Sequence, residues 1–217
     1  RTSWGTPDLQ GVWDFRSLTP MERPDDLSEN EIFSAEEAAE FAAETIRERS
    51  RDNDTSDRVV PYNDFWFDEG TVVTTERTSL VIDPPDGRIP TLTQEAQQRR
   101  AQLREAREGV SSHEPTPGGF VEDLGPGGLQ VRCILGFNSG PPMAPSAYNN
   151  NVQVFQTEST VVLFAEMNHN ARIIPLDGSD HLDGTIPQWT GDSRGRWDGD
   201  TLVVETTNFL RETNFLQ

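Results

Sequence analysis

Apolar and polar residues alternate most regularly between residues 148 and 181, YNNNVQVFQTESTVVLFAEMNHNARIIPLDGSDH. Three apolar runs there, 152–156, 161–167 and 171–176, have the short length and β-branched content of strands. A further strand is expected at 9–15, where Gly11-Val12-Trp13 sits. Asp198-Gly199-Asp200 predicts a hairpin turn joining 194–197 to 201–206. Residues 71–82 read as one long strand or two short ones, closed by the turn Asp83-Pro-Pro-Asp-Gly87. Two segments carry helical signals instead. Ser34-Ala-Glu-Glu37 is a capping box, and the helix it opens runs to about Arg49 with a thin apolar face of Phe41, Ala42 and Ile46. A nearly all-polar helix follows Thr93 to about Arg107. Residues 52–57 form a polar breaker, and 109–128 and 139–146 are loops rich in glycine or proline. The pattern predicts a single, mainly β domain over 1–217, built as a barrel-like or strongly curled antiparallel sheet. Two surface helices, at about 34–50 and 93–108, are inserted in it.

Composition narrows the partners. The formal charge is −19, and all 18 basic residues are arginine. Such a surface repels nucleic-acid phosphates and anionic membranes. It fits a salty habitat that screens self-repulsion, or equally a GC-rich genome that encodes arginine in place of lysine. No apolar run reaches the roughly 18 residues of a membrane span, so no membrane insertion is expected. Cys133 is the only cysteine, which rules out an internal disulfide and a cysteine metal cluster. Within LQVRCILGF it reads as a buried thiol.

The groups able to do chemistry cluster with the strands. If 165–173 is one strand, Glu166, Asn168, Asn170 and Arg172 share a face suited to a polar ligand inside a barrel. If Asn168-His169-Asn170 is a turn, His169 sits at a loop tip and Glu166 can pair with Arg172 across a hairpin. Either arrangement is compatible with a purely structural ion pair. The functional reading makes His169 a general acid or base, with Glu166 and Tyr148 assisting. Arg172 and Arg132 then hold a developing oxyanion. Trp66 and Phe65 form an aromatic wall with Asn63 as its polar handle, unless this patch is simply core. Asn150 and Asp177 complete the substrate-binding set. His181, Asp177 and Asp180, with His169 and Glu166, offer imidazole and carboxylate ligands, but not at the spacing of a tight metal motif, so neither metal nor cofactor is expected. Asp177-Gly178 reads more simply as a turn. Gly191-Asp192-Ser193 superficially matches an esterase nucleophile motif, but the serine comes late and no histidine follows it. Asp192, Arg194 and Arg196 read as an ion network. No phosphate-cradling or dinucleotide glycine loop is present.

Several motifs together carry a resemblance: Asp8-Leu-Gln-Gly-Val-Trp13, Tyr62-Asn-Asp-Phe-Trp66, the run 77–88, Arg132-Cys133, Tyr148-Asn-Asn, the run 171–178 and the run 191–209. On these the chain resembles a large uncharacterised family of exported proteins of environmental bacteria, and the match spans nearly all of it. No catalytic residue carries over. The resemblance implies a secretion signal ahead of Arg1, hence a periplasmic or secreted protein, and further β-structure beyond Phe209. Where such proteins commonly have aspartate after the histidine of Glu-Met-x-His, this chain has Asn170. More weakly, the Gly11-Val-Trp13 opening is similar to lipocalin-like (calycin) barrels.

These readings converge on a β-barrel pocket for a small organic molecule. The leading expectation is a cofactor-independent acid/base enzyme of the lyase, hydratase or isomerase type. The alternatives are a non-catalytic binding or carrier protein, and a structural or assembly subunit with an extensive apolar interface.

Overall fold

Val152, Val154 and Gln156 are buried, while Gln153 and Phe155 between them are exposed. This period-two pattern fixes which face of the sheet meets the core. The computed structural model describes residues 1–52, 62–119, 125, 128–140 and 143–213. The chain divides into two compact units. The first comprises Arg1–Phe15, Ala106–Ala144 and Asn149–Gln217, the second Arg16–Glu105 and Pro145–Tyr148.

The first unit holds the strands. β1 (Gly11–Asp14), β2 (Asn151–Gln156), β3 (Thr160–Ala165) and β4 (Ala171–Pro175) form an antiparallel sheet in the order β1-β2-β3-β4. The register sets Gly11 opposite Val154, Val154 opposite Leu163, and Leu163 opposite Arg172. β5 (Asp192–Asp198) and β6 (Thr201–Thr207) make a separate two-stranded sheet joined by Gly199-Asp200. Val154, Val161 and Ile174 form the core of this unit, with Leu9, Leu163, Leu176 and Leu202 packed against it. Gly195 of β5 lies so close to Ile174 and Leu176 that a Cβ there would overlap both. The hairpin therefore rests on the inner face of the larger sheet.

The second unit carries α1 (Ala35–Arg49) and most of α2 (Gln94–Ala106). Ser34 accepts from Glu37 N while the Glu37 carboxylate accepts from Ser34 N, so the expected capping box forms. Ala42 and Thr45 are the buried face of α1, and Phe33 meets Phe41 at 5.1 Å between ring centres. Thr93 caps α2, its hydroxyl accepting from Ala96 N. No residue of α2 is buried, as its polar sequence requires.

The expected barrel does not form. The four-stranded sheet is open, with β1 and β4 as its edges, and no strong curl joins it to the hairpin. Residues 71–82, expected as one or two strands, build none. Thr75 and Glu76 adopt left-handed backbone at φ 55° and 56°, which interrupts pleating. The segment instead bonds singly to its neighbours, through Leu18 N to Val72 O, Phe33 N to Glu76 O and Leu80 N to Pro20 O. Its β-type pairing is an isolated antiparallel bridge, Ile32 with Arg77. A sheet of four strands is too narrow to close on itself. Among the described residues no helix is long and apolar enough to cross a membrane. The breaker beyond Asp52 and parts of both glycine- and proline-rich loops lie outside the described residues.

Candidate functional site

The polar row expected along 165–173 is broken by a turn. β3 ends at Ala165, and Met167–His169 forms a 3-10 turn with Asn168 at φ 56° and His169 at φ 44°. Asparagine tolerates this left-handed backbone, which is why the reversal falls here. Met167 is buried inside the turn against Gly136, where a Cβ would collide with its side chain. His169 is left exposed, its Nδ1 against the Asn168 carbonyl oxygen. Glu166 is exposed and accepts from Asn151 Nδ2 at 2.8 Å. It makes no ion pair with Arg172.

Arg172 goes the other way. One residue into β4, it shares the inner face with Ile174 and is 8 % exposed. Nη1 donates to the Thr190 carbonyl oxygen at 2.7 Å and to Ser193 Oγ at 3.1 Å, and Nη2 donates to the Gly140 carbonyl oxygen at 3.1 Å. All three acceptors are neutral, and no carboxylate among the described residues pairs with this guanidinium. Burial pushes its pKa below the ordinary arginine value, yet a guanidinium stays charged in proteins. Beside it lies a cavity of about 180 Å³, lined by Ser139, Gly140, Met143, Leu163, Ala165, Arg172, Val204 and Thr206. Leu163, Ala165 and Arg172 come from the large sheet, and Val204 and Thr206 from β6. The cavity is therefore a gap where two sheet faces meet beside Ser139, Gly140 and Met143. A wider, more open cleft of about 460 Å³ is lined by Ile134, Asn170, Pro187, Gln188, Trp189, Thr190 and Leu210.

A second polar cluster was only partly expected from the sequence. His181 Nδ1 lies 2.8 Å from Asp192 Oδ2, which also accepts from Leu182 N. Arg194 Nη1 donates to Asp192 Oδ1 at 2.8 Å, while its Nε and Nη2 reach the Asp180 carbonyl oxygen. Burial pushes the Asp192 carboxyl up, but the bonds from Leu182 N, His181 and Arg194 outweigh it and hold the pKa below the usual aspartate value. The cluster pins the 176–191 connection to the start of β5. The expected Asp192–Arg194 pair is real. Its histidine was missed because 11 residues separate His181 from Asp192, beyond any local pattern. Neither cavity is lined by His181.

The remaining expected site residues scatter. Asn150 is 1 % exposed, its Oδ1 accepting from Asn138 Nδ2. Arg132 is exposed at the end of a 3-10 turn (Leu129–Arg132). Cys133 beside it is exposed, not buried, because it takes left-handed backbone at φ 53° as the turn ends. Asp177 is exposed and caps a turn, accepting from Ser179 N; the Ser179 hydroxyl and N–H hold its pKa below the usual value. Tyr148, Asn63, Phe65 and Trp66 belong to the second unit, not the one holding Arg172, Glu166 and His169. There Asp64 accepts from Ser50 Oγ and Arg51 N and anchors the 3-10 turn Asp64–Trp66. Phe65 is 84 % exposed and touches Trp66 edge-on, so the patch is not core. Tyr148 leans edge-on against Phe67, whose other contact is the guanidinium of Arg51.

Among the described residues no group of three or more His, Cys, Asp or Glu is placed to hold a metal ion. Comparison of the chain with known protein families, with curated proteins and with solved structures finds no match.

Proposed function

We propose that this protein binds a small organic molecule without transforming it, in the cavity beside Arg172. The observation that carries the reading is the pairing of an apolar-walled space with one buried, uncompensated cation. A buried charge facing only neutral acceptors is costly. A ligand that supplies a negative or strongly polar group at that point offsets the cost. Ligand sites are typically apolar spaces with a few placed polar groups.

A catalytic reading draws less support. His169 and Glu166 are both exposed, and Glu166 is engaged by Asn151. Proton transfer needs a base within hydrogen-bond reach of a held substrate, and neither side chain lines the cavity.

The test is native mass spectrometry of the gently purified protein, followed by displacement of any bound species. A specific small molecule lost in Val204→Phe, which narrows the cavity, supports the reading. A stoichiometric ligand retained at full occupancy in that variant refutes the location. His169→Ala is expected to change ligand affinity by less than about twofold, because a single exposed side chain away from the contact contributes little.

A further inference from the structure

Arg172 is held by three hydrogen bonds and keeps donors that none of them uses. A guanidinium has five N–H donors. Three hydrogen bonds are made, two from Nη1 and one from Nη2. The two donors left over are Nε–H and the second hydrogen of Nη2. These adjacent nitrogens form the fork that takes both oxygens of a carboxylate side-on. The neutral acceptors fix the plane of the group in advance, so little side-chain freedom remains to be lost on binding.

Apart from Ser139 and Thr206, the side chains in the rest of the wall are apolar. Met143, Leu163, Ala165 and Val204 surround the space that Arg172 enters. A cavity of roughly 150 Å³ accommodates a six-carbon ring. At about 180 Å³ this one takes on the order of seven to eight heavy atoms. Three of them are a carboxylate carbon and its two oxygens, which leaves a chain of roughly four or five further carbons.

We propose that the ligand is a short-chain aliphatic monocarboxylate, its carboxylate on the Nε–Nη2 edge of Arg172 and its chain against Met143, Leu163, Ala165 and Val204. This inference rests on the binding reading above and specifies its ligand class. A dicarboxylate fits poorly, because its second charge lies among apolar side chains. A bare anion such as chloride or phosphate leaves the apolar wall unused.

The experiment is calorimetric titration of the full chain, in carboxylate-free buffer, with acetate, butyrate, pentanoate, hexanoate and decanoate. The matching primary alcohols, chloride and phosphate serve as competitors. Affinity is expected to rise about fourfold per added methylene up to five or six carbons and to stop rising by decanoate. Hexanol should bind at least tenfold more weakly than hexanoate. Val204→Phe leaves Arg172 untouched and should lower hexanoate affinity at least tenfold while changing acetate affinity less than threefold. This variant keeps the test decisive if Arg172→Met fails to fold. Alcohols binding as tightly as acids would overturn the carboxylate assignment and leave the binding reading intact. Phosphate or chloride displacing hexanoate at equal concentration would likewise overturn it. Heat from none of these compounds would overturn the inference, while a different molecule seen by mass spectrometry would still preserve the binding reading.

Discussion

Gly195 tests whether the two sheets really meet where the core places them. Its backbone is not left-handed, so replacing it by alanine adds a methyl without conformational strain. That Cβ would lie 2.6 Å from Leu176 Cδ2 and 2.7 Å from Ile174 Cγ2. Carbon atoms settle at about 3.5–4.0 Å, so each neighbour must retreat by roughly 1 Å. Ile174 is 0 % exposed and has nowhere to go, whereas Leu176 is only partly buried and can rotate. Overpacking of this kind costs about 1–3 kcal/mol. For a chain of this size that is about 2–12 °C in Tm. The assay is urea unfolding followed by tryptophan fluorescence, paired with amide exchange on β4 and β5, because two units need not unfold together. Gly184→Ala is the control: nothing lies within 4 Å of its Cβ position, and its effect should stay within about 0.5 kcal/mol. Leu176→Ala removes one of the two clashing carbons. Combined with Gly195→Ala, it should cost less than the two single changes added, by at least about 0.5 kcal/mol. Gly195→Ala matching the Gly184→Ala control, with unchanged exchange on β4, would refute the packing of β5 on β4.

Two further outcomes follow from local chemistry. Ser34→Ala removes the hydroxyl that accepts from Glu37 N and leaves only the backbone N–H of residue 34 on the Glu37 carboxylate; it should cost about 1 kcal/mol, read as lost helicity and faster exchange in the first turn of α1; Ser34→Asp should restore most of it. Asp192 has a folded pKa below its unfolded value near 3.8, so the stability it lends is fully present above that value and is lost as pH falls through the lower folded pKa. Asp192→Asn should therefore flatten the loss of stability below about pH 4, seen as a shallower fall of the urea midpoint with pH; an unchanged slope would remove Asp192 from the account.

Local signals translated well into structure. The capping box at Ser34, the two helices, strands β2 to β4 and the Asp198-Gly199-Asp200 hairpin all form close to the residues where period and turn chemistry put them. What failed needed information beyond the local window. The run 71–82 is apolar and β-branched enough for a strand, yet two left-handed residues and single bonds to residues 18–21 and 31–33 decide otherwise. The expected barrel closure also failed. The exposed aromatics at 62, 65 and 66 show the same limit, since composition does not distinguish a ring that fills a core from one that stands in water.

Arg172 shows how a single turn reassigns chemistry. Read as one strand, 165–173 puts Glu166 and Arg172 on the same face; read as a turn, it lets them pair across a hairpin. The 3-10 turn at Met167–His169 breaks that phase. Glu166 leaves the sheet in helical backbone and turns to Asn151, while Arg172 re-enters opposite Leu163 with its side chain inward. An expected ion pair becomes a solvated carboxylate and a buried cation. The cation then recruits only carbonyl and hydroxyl oxygens, from Gly140, Thr190 and Ser193. Those acceptors fix its geometry without neutralising it. In a chain with 37 acidic residues, carboxylates were abundant, yet none among the described residues is placed against this arginine. A charge kept oriented, largely buried and without a carboxylate partner beside apolar side chains is what selective binding of an anionic headgroup requires, and the proposed ligand class rests on it.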